Sequence, residues 1–123
     1  MNYNLLADTL DKAALYAEPT AQISATENIN LDEAYAIQSI SMAKRYIRGE
    51  KLVGIKLGFT SKAKMEQMGV HDMIWGRLTD RMAYMKDEEL DMSTFIHPRA
   101  EPEIAFRLSK DVDVILNKDN AFD

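Results

Sequence analysis

The sequence predicts an α+β protein, with helices early and short strands later, and three observations carry that reading. Two stretches before residue 50 space their apolar residues as helices do. Leu52 to Gly58 alternates Val53, Ile55 and Leu57 with Gly54, Lys56 and Gly58, the two-residue period of a strand. Around Glu101 and Glu103 the same alternation returns, with Ala100, Ile104, Phe106 and Leu108 as the candidate core face. At 123 residues the chain has room for one small domain, and its 46% hydrophobic and 28% charged composition is that of a soluble globular protein.

The elements follow in order. Leu5 to Ala17 reads as a helix that Pro19 ends, because proline cannot continue the hydrogen-bond ladder. Thr20 to Ile29 is a polar connection. A second helix is capped by Asn30, with Glu33 completing a capping box, and carries Ala36, Ile40, Ala43 and Ile47 as its apolar stripe. Gly49 suits the position just past its end, and Lys44, Arg45 and Arg48 complement the helix dipole there. After the Leu52–Gly58 strand, Thr60 or Ser61 can cap a short helix through Met68 that Gly69 terminates. Strand-like pieces follow at Gly76 to Thr79 and Met82 to Met85, then the acidic turn Lys86-Asp87-Glu88-Glu89 and the Glu101–Glu103 strand.

Several function classes are disfavoured. A net charge of −5 offers no basic footprint for nucleic acid. With no cysteine there is no disulfide, thiolate metal site or thiol nucleophile, which suits a reducing cytoplasm. The opening Met1-Asn2-Tyr3-Asn4 lacks the regions of a signal peptide, and no apolar run approaches the roughly 20 residues that span a bilayer. No phosphate-loop, dinucleotide, zinc-protease or nucleophile-elbow motif occurs. Eight methionines are explained by adaptable core filling.

Two places could carry chemistry. On a strand, Glu101 and Glu103 project to the same side, and two carboxylates aimed at one point suit a hard cation such as Mg²⁺ or Mn²⁺. Spacing alone is met more often by an amphipathic strand with a solvated outer face. Lys56 stands between two glycines, which leaves room for close approach, although lysines are commonly surface residues. The separated histidines His71 and His97 read as structural.

Three separated motifs resemble one family: Gly54-Ile55-Lys56-Leu57-Gly58-Phe59-Thr60-Ser61, Lys64-Met65-Glu66-Gln67-Met68-Gly69-Val70 and His97-Pro98-Arg99-Ala100-Glu101-Pro102-Glu103-Ile104-Ala105-Phe106. Ala34-Tyr35-Ala36-Ile37-Gln38 resembles it as well, so the likeness runs from about Leu31 to Leu108. The family is the 2-keto-4-pentenoate hydratase / 4-oxalocrotonate decarboxylase group of the fumarylacetoacetate hydrolase superfamily. The resemblance implies a divalent-metal-dependent lyase of aromatic meta-cleavage catabolism, acting on small unsaturated 2-oxo acids. It implies Glu101 and Glu103 as two of three carboxylate ligands to Mg²⁺ or Mn²⁺, Lys56 as the catalytic cation beside the substrate, and Ile74, Thr60 and Ser61 at the substrate pocket.

The resemblance also divides the chain. Residues 1–80 are expected to form a small helical and α/β N-terminal region, and residues 81–123 the first strands of a truncated β-rich catalytic domain like that of fumarylacetoacetate hydrolase. The family's third carboxylate lies downstream of this sequence, and Asp111-Val112-Asp113-Val114-Ile115-Leu116-Asn117 no longer follows the family pattern. The chain is therefore expected to be an inactive fragment that self-associates, cytoplasmic, with no nucleic-acid or membrane partner. A homo-oligomer, or a complex with a partner enzyme of the same pathway, is expected of the longer form. Hydratases of the family carry an aspartate just before the pair that is here Trp75-Gly76. Ile74 in that place, with Thr60-Ser61 and Lys64-Met65, leans towards the decarboxylase and leaves the hydratase as the alternative.

Overall fold

The computed structural model describes residues 1–69, 71–115 and 117, so Val70 and Leu116 of the segments quoted above, and the end of the expected 81–123 region, lie outside the described residues. Helix α1 spans Tyr3–Tyr16 and α2 spans Leu31–Ile47. Strand β1, Leu52–Gly58, and strand β2, Ile74–Thr79, flank helix α3, Lys62–Met68.

The helix ends follow local chemistry. Asn2 caps α1 by accepting from the Leu5 N–H, and the helix ends at Ala17, which turns left-handed two residues ahead of Pro19. At α2 the expected capping box is complete. The Asn30 side chain accepts from the Glu33 N–H at 2.9 Å, and Glu33 accepts from the Asn30 N–H at 2.9 Å. Tyr3 donates its hydroxyl to the same Glu33, and the two bonds, the backbone one foremost, hold that carboxyl below the usual range. Gly49 follows α2 at φ 94°, a left-handed turn that glycine makes without strain. Ser61, rather than Thr60, caps α3 by accepting from the Lys64 N–H, and Gly69 closes it at φ 66°.

The buried line of α2 differs from the expected stripe. Ile37 and Met42 are buried, while Ile47 is 86% exposed and Ala43 is also exposed. α2 packs against α1, and the buried apolar residues are Ile37 and Met42 on α2 and Ala7 on α1, so the buried line of α2 is rotated from the expected stripe. The helices are also tied by charge. Arg48 grips Asp11 with two bonds of 2.7 Å, and Lys44 pairs with Asp8. Arg45 meets Glu50 at 3.3 Å, so the basic residues at the end of α2 are each matched to a carboxylate.

β1 and β2 pair antiparallel, with Leu57 opposite Trp75, Lys56 opposite Gly76 and Gly54 opposite Leu78. Between Leu52 and Gly54 the register shifts, so Val53 is an extra residue forming a β-bulge. Two expected strands are absent. Met82 to Met85 begins as a 3₁₀ turn, Asp80–Met82, and continues as a loop. The segment carrying Glu101 and Glu103 has neither helix nor strand, and Ile104 and Phe106, expected on a core face, are 85% and 79% exposed. Pro98 and Pro102 each remove a ladder donor, His97 kinks the entry at φ 47°, and no neighbouring strand pairs with the segment among the described residues. Alternation makes a segment compatible with a sheet; a partner strand is what makes it one.

Asp11 is buried, and its bonds to Arg48 hold its carboxyl below the usual range. Because the folded value is depressed, the stability it contributes is present above the ordinary carboxylate pKa of about 4 and is lost as pH falls through the folded value. Asp11→Asn should cost about 1–3 kcal/mol at neutral pH by urea unfolding. Its midpoint should converge with the parent's as the solution is acidified below about pH 4.

Candidate functional site

The site is built on the sheet face that carries Lys56. Residues directly opposite in an antiparallel pair share a face, so Lys56 shares its face with Gly76, and Gly54 and Gly58 flank it along β1. Three of its nearest positions therefore have no side chain, and Ile74 and Leu78 stand at the corners. A methyl group at Gly76 would meet open space, whereas one at Gly58 would come within 2.9 Å of Ile74 Cγ1. The bare patch is thus open opposite Lys56 and closed by Ile74 beside Gly58.

Helix α2 sets where β2 lies. Trp75 donates its N–H to the Tyr35 hydroxyl at 3.1 Å and accepts at its carbonyl from Gln38 Nε2 at 3.2 Å. The two rings stack with centroids 4.9 Å apart. Arg77 lies over the Trp75 ring and donates to Gln38 Oε1 and Ser39 Oγ. Composition and periodicity give this cluster no role. Its signal was present in Tyr35 and Gln38, three apart and hence on one helix face.

Lys56 Nζ stands 3.4 Å from Glu103 Oε1, joining residues 47 apart, with both side chains about half exposed. The structure thus brings Lys56, Ile74 and Glu103 to one neighbourhood. Glu101 is exposed and makes no hydrogen bond or ion pair among the described residues. Thr60 lies exposed beyond the left-handed turn at Phe59, and the Ser61 side chain is engaged in capping α3. No group of three or more His, Cys, Asp or Glu side chains converges as a metal site among the described residues. Glu101 and Glu103 nevertheless offer the hard oxygen donors a divalent cation prefers, and Glu103 already accepts a cation in Lys56. They fit as part of a donor set.

No family model matches the chain. It is 44% identical over 110 residues to a 4-oxalocrotonate decarboxylase of Pseudomonas sp., covering 89% of this chain and 43% of that protein. It is 39% identical over 111 residues to a 2-hydroxypent-2,4-dienoate hydratase of Pseudomonas putida, covering 89% of this chain and 50% of that one. The chain therefore spans half or less of the length of these relatives. Among solved structures, the 4-oxalocrotonate decarboxylase of Pseudomonas putida G7, complexed with magnesium and adipate, superposes with a TM-score of 0.61 at 34% identity. That match covers 64% of this chain and 30% of that one, and the same enzyme is also solved with calcium and acetate. The resemblance read from the motifs is borne out, and the relatives' names are those of lyases.

The glycines around Lys56 should respond differently to substitution. Gly76→Ala should leave stability unchanged or raise it by up to about 1 kcal/mol, since glycine is unfavourable within a strand. Gly58→Ala should lower it by about 1 kcal/mol or more because Ile74 must move. Thermal unfolding of the two variants gives this order; equal midpoints would contradict the placement of Ile74 against Gly58.

Proposed function

We propose, from the premise that this chain belongs over part of its members' length to the 2-keto-4-pentenoate hydratase / 4-oxalocrotonate decarboxylase group, that it carries the lysine and two carboxylates of a divalent-metal-dependent lyase for small unsaturated 2-oxo acids. The observation that carries this reading is the approach of Lys56 to Glu103. Two residues chosen from separate motifs meet in space although 47 positions separate them. In this reading residues 1–80 form the N-terminal region, and residues from 81 onward begin a β-rich domain like that of fumarylacetoacetate hydrolase. The protein works in the cytoplasm as an oligomer, alone or with a partner enzyme of its pathway.

The preferred reaction is decarboxylation of 2-oxo-3-hexenedioate to 2-hydroxy-2,4-pentadienoate and CO₂. Glu101 and Glu103 would hold Mg²⁺ or Mn²⁺, with a further carboxylate from elsewhere. Such a cation supplies a Lewis acid for the 2-oxo group. Lys56 projects from the open sheet face, and its ammonium would stabilise the negative charge that builds on the 2-oxo oxygen as the carbon–carboxylate bond breaks. Ile74, beside it on that face, supplies apolar surface and no proton-transfer group. Loss of CO₂ favours a dry, apolar site, whereas adding water needs a group that activates and delivers it. Thr60 and Ser61 lie past the end of β1, and in this reading they would border the substrate. The decarboxylase relative bound to adipate, a dicarboxylate, supports a dicarboxylate substrate. The hydratase remains the second reading, favoured by the 39% identity to an enzyme of that name.

By itself the 123-residue chain should self-associate in light scattering and turn over neither substrate. Extended to the length of its relatives and supplied with Mg²⁺, it should release CO₂ from 2-oxo-3-hexenedioate faster than it consumes the dienoate. Lys56→Met should depress either reaction by roughly 10²-fold or more, as loss of an oxyanion-stabilising group does. Consumption of the dienoate without CO₂ release from the hexenedioate would replace the decarboxylase by the hydratase.

A further inference from the structure

We propose that Lys56 is the resident counter-ion of Glu103, so that a divalent cation held by Glu103 must displace the Lys56 ammonium from it. The proposal rests on the metal assignment above and adds to it an internal competitor for the metal.

The contrast between two ion pairs in this chain carries the argument. Arg48 holds Asp11 through two bonds of 2.7 Å, with the carboxylate buried, a geometry that resists exchange. Lys56 reaches Glu103 through one oxygen at 3.4 Å, with both side chains half exposed. An ammonium is a compact point charge on a flexible stem, and a single long contact of this kind is readily given up. The Lys56 side chain has no other hydrogen-bond or ion-pair partner among the described residues. Its surroundings also leave it free to move. Gly54, Gly58 and Gly76 remove the neighbouring side chains, and the space over Gly76 is open.

The lysine therefore has two stations. At one it neutralises Glu103, and at the other it lies over the bare sheet face near Ile74. A cation at Glu103 repels the ammonium from the first station and makes the second the better one. The coupling is reciprocal: whatever draws Lys56 to the sheet face, an anionic 2-oxo acid included, raises the affinity of the carboxylates for metal. Metal loading and presentation of the lysine to substrate thus become one event.

The test is Mn²⁺ binding to the chain extended to the length of its relatives, which supplies the further carboxylate, by calorimetry and by the paramagnetic resonance signal of free Mn²⁺. An exposed ion pair contributes up to about 1 kcal/mol, so Lys56→Met should tighten Mn²⁺ binding about two- to fivefold. Lys56→Arg retains the charge and should stay at or below the parent's affinity. Glu103→Gln should weaken binding. If Glu103→Gln weakens binding while Lys56→Met binds Mn²⁺ as the parent does, or less tightly, the counter-ion proposal is overturned and the metal assignment stands. If Glu103→Gln leaves binding unchanged, or if no variant binds Mn²⁺, the metal assignment fails and the proposal fails with it.

Discussion

The position of the hairpin depends on the contact that α2 makes with a single residue of β2. Trp75 offers its N–H to Tyr35 and its carbonyl to Gln38, so the helix supplies partners that a sheet edge otherwise seeks in another strand. Ring stacking and the Arg77 guanidinium over Trp75 add attraction at the same spot. β2 is therefore located by α2, and β1 by its pairing with β2. Lys56 has its place because it faces Gly76, one residue beyond the anchored tryptophan. A two-stranded hairpin in water is marginal without such support.

The parts of the fold that were legible in the sequence are those governed by neighbours along the chain. The Asn30–Glu33 capping box, the glycines after α2 and α3, and the Leu52–Gly58 strand need only a few consecutive residues to specify them. What failed needed distant partners. The Glu101–Glu103 segment alternates as a strand should, yet among the described residues it has no neighbour to pair with, and its prolines and the turn at His97 work against one. The buried stripe on α2 departs from its apolar spacing because its direction is set by where α1 lies. At the site, Lys56 and Glu103 could be picked out individually. The family resemblance implies that both belong to one site, and spacing does not, since 47 residues separate them; their direct contact is a finding of the structure. The Tyr35–Gln38–Trp75–Arg77 cluster was hidden because polar residues on a helix face ordinarily face water.

The distribution of apolar surface supports the self-association proposed above. Among the described residues the buried apolar ones are few, Ala7, Ile37 and Met42, while Val53, Ile55 and Leu57 of β1 and Ile104, Phe106 and Leu108 beyond the glutamates are exposed. Single exposed apolar residues are ordinary, but a strand face together with a nearby apolar segment is the kind of surface proteins cover. Helix-to-helix ion pairs do not compensate for it; they orient α1 against α2 without burying the sheet.

The bulge at Val53 bears on how the length of this segment can vary over evolutionary time. Side chains alternate along a strand, so gaining or losing one residue between Gly54 and Gly58 would turn Lys56 over to the face of Trp75 and Arg77. At the bulge the pairing already accommodates one unmatched residue, and losing it would join Leu52 directly to a ladder whose later register is unchanged. Insertions and deletions in related chains should therefore collect upstream of Gly54, leaving the stretch from Gly54 to Gly58 constant in length even where its apolar residues drift.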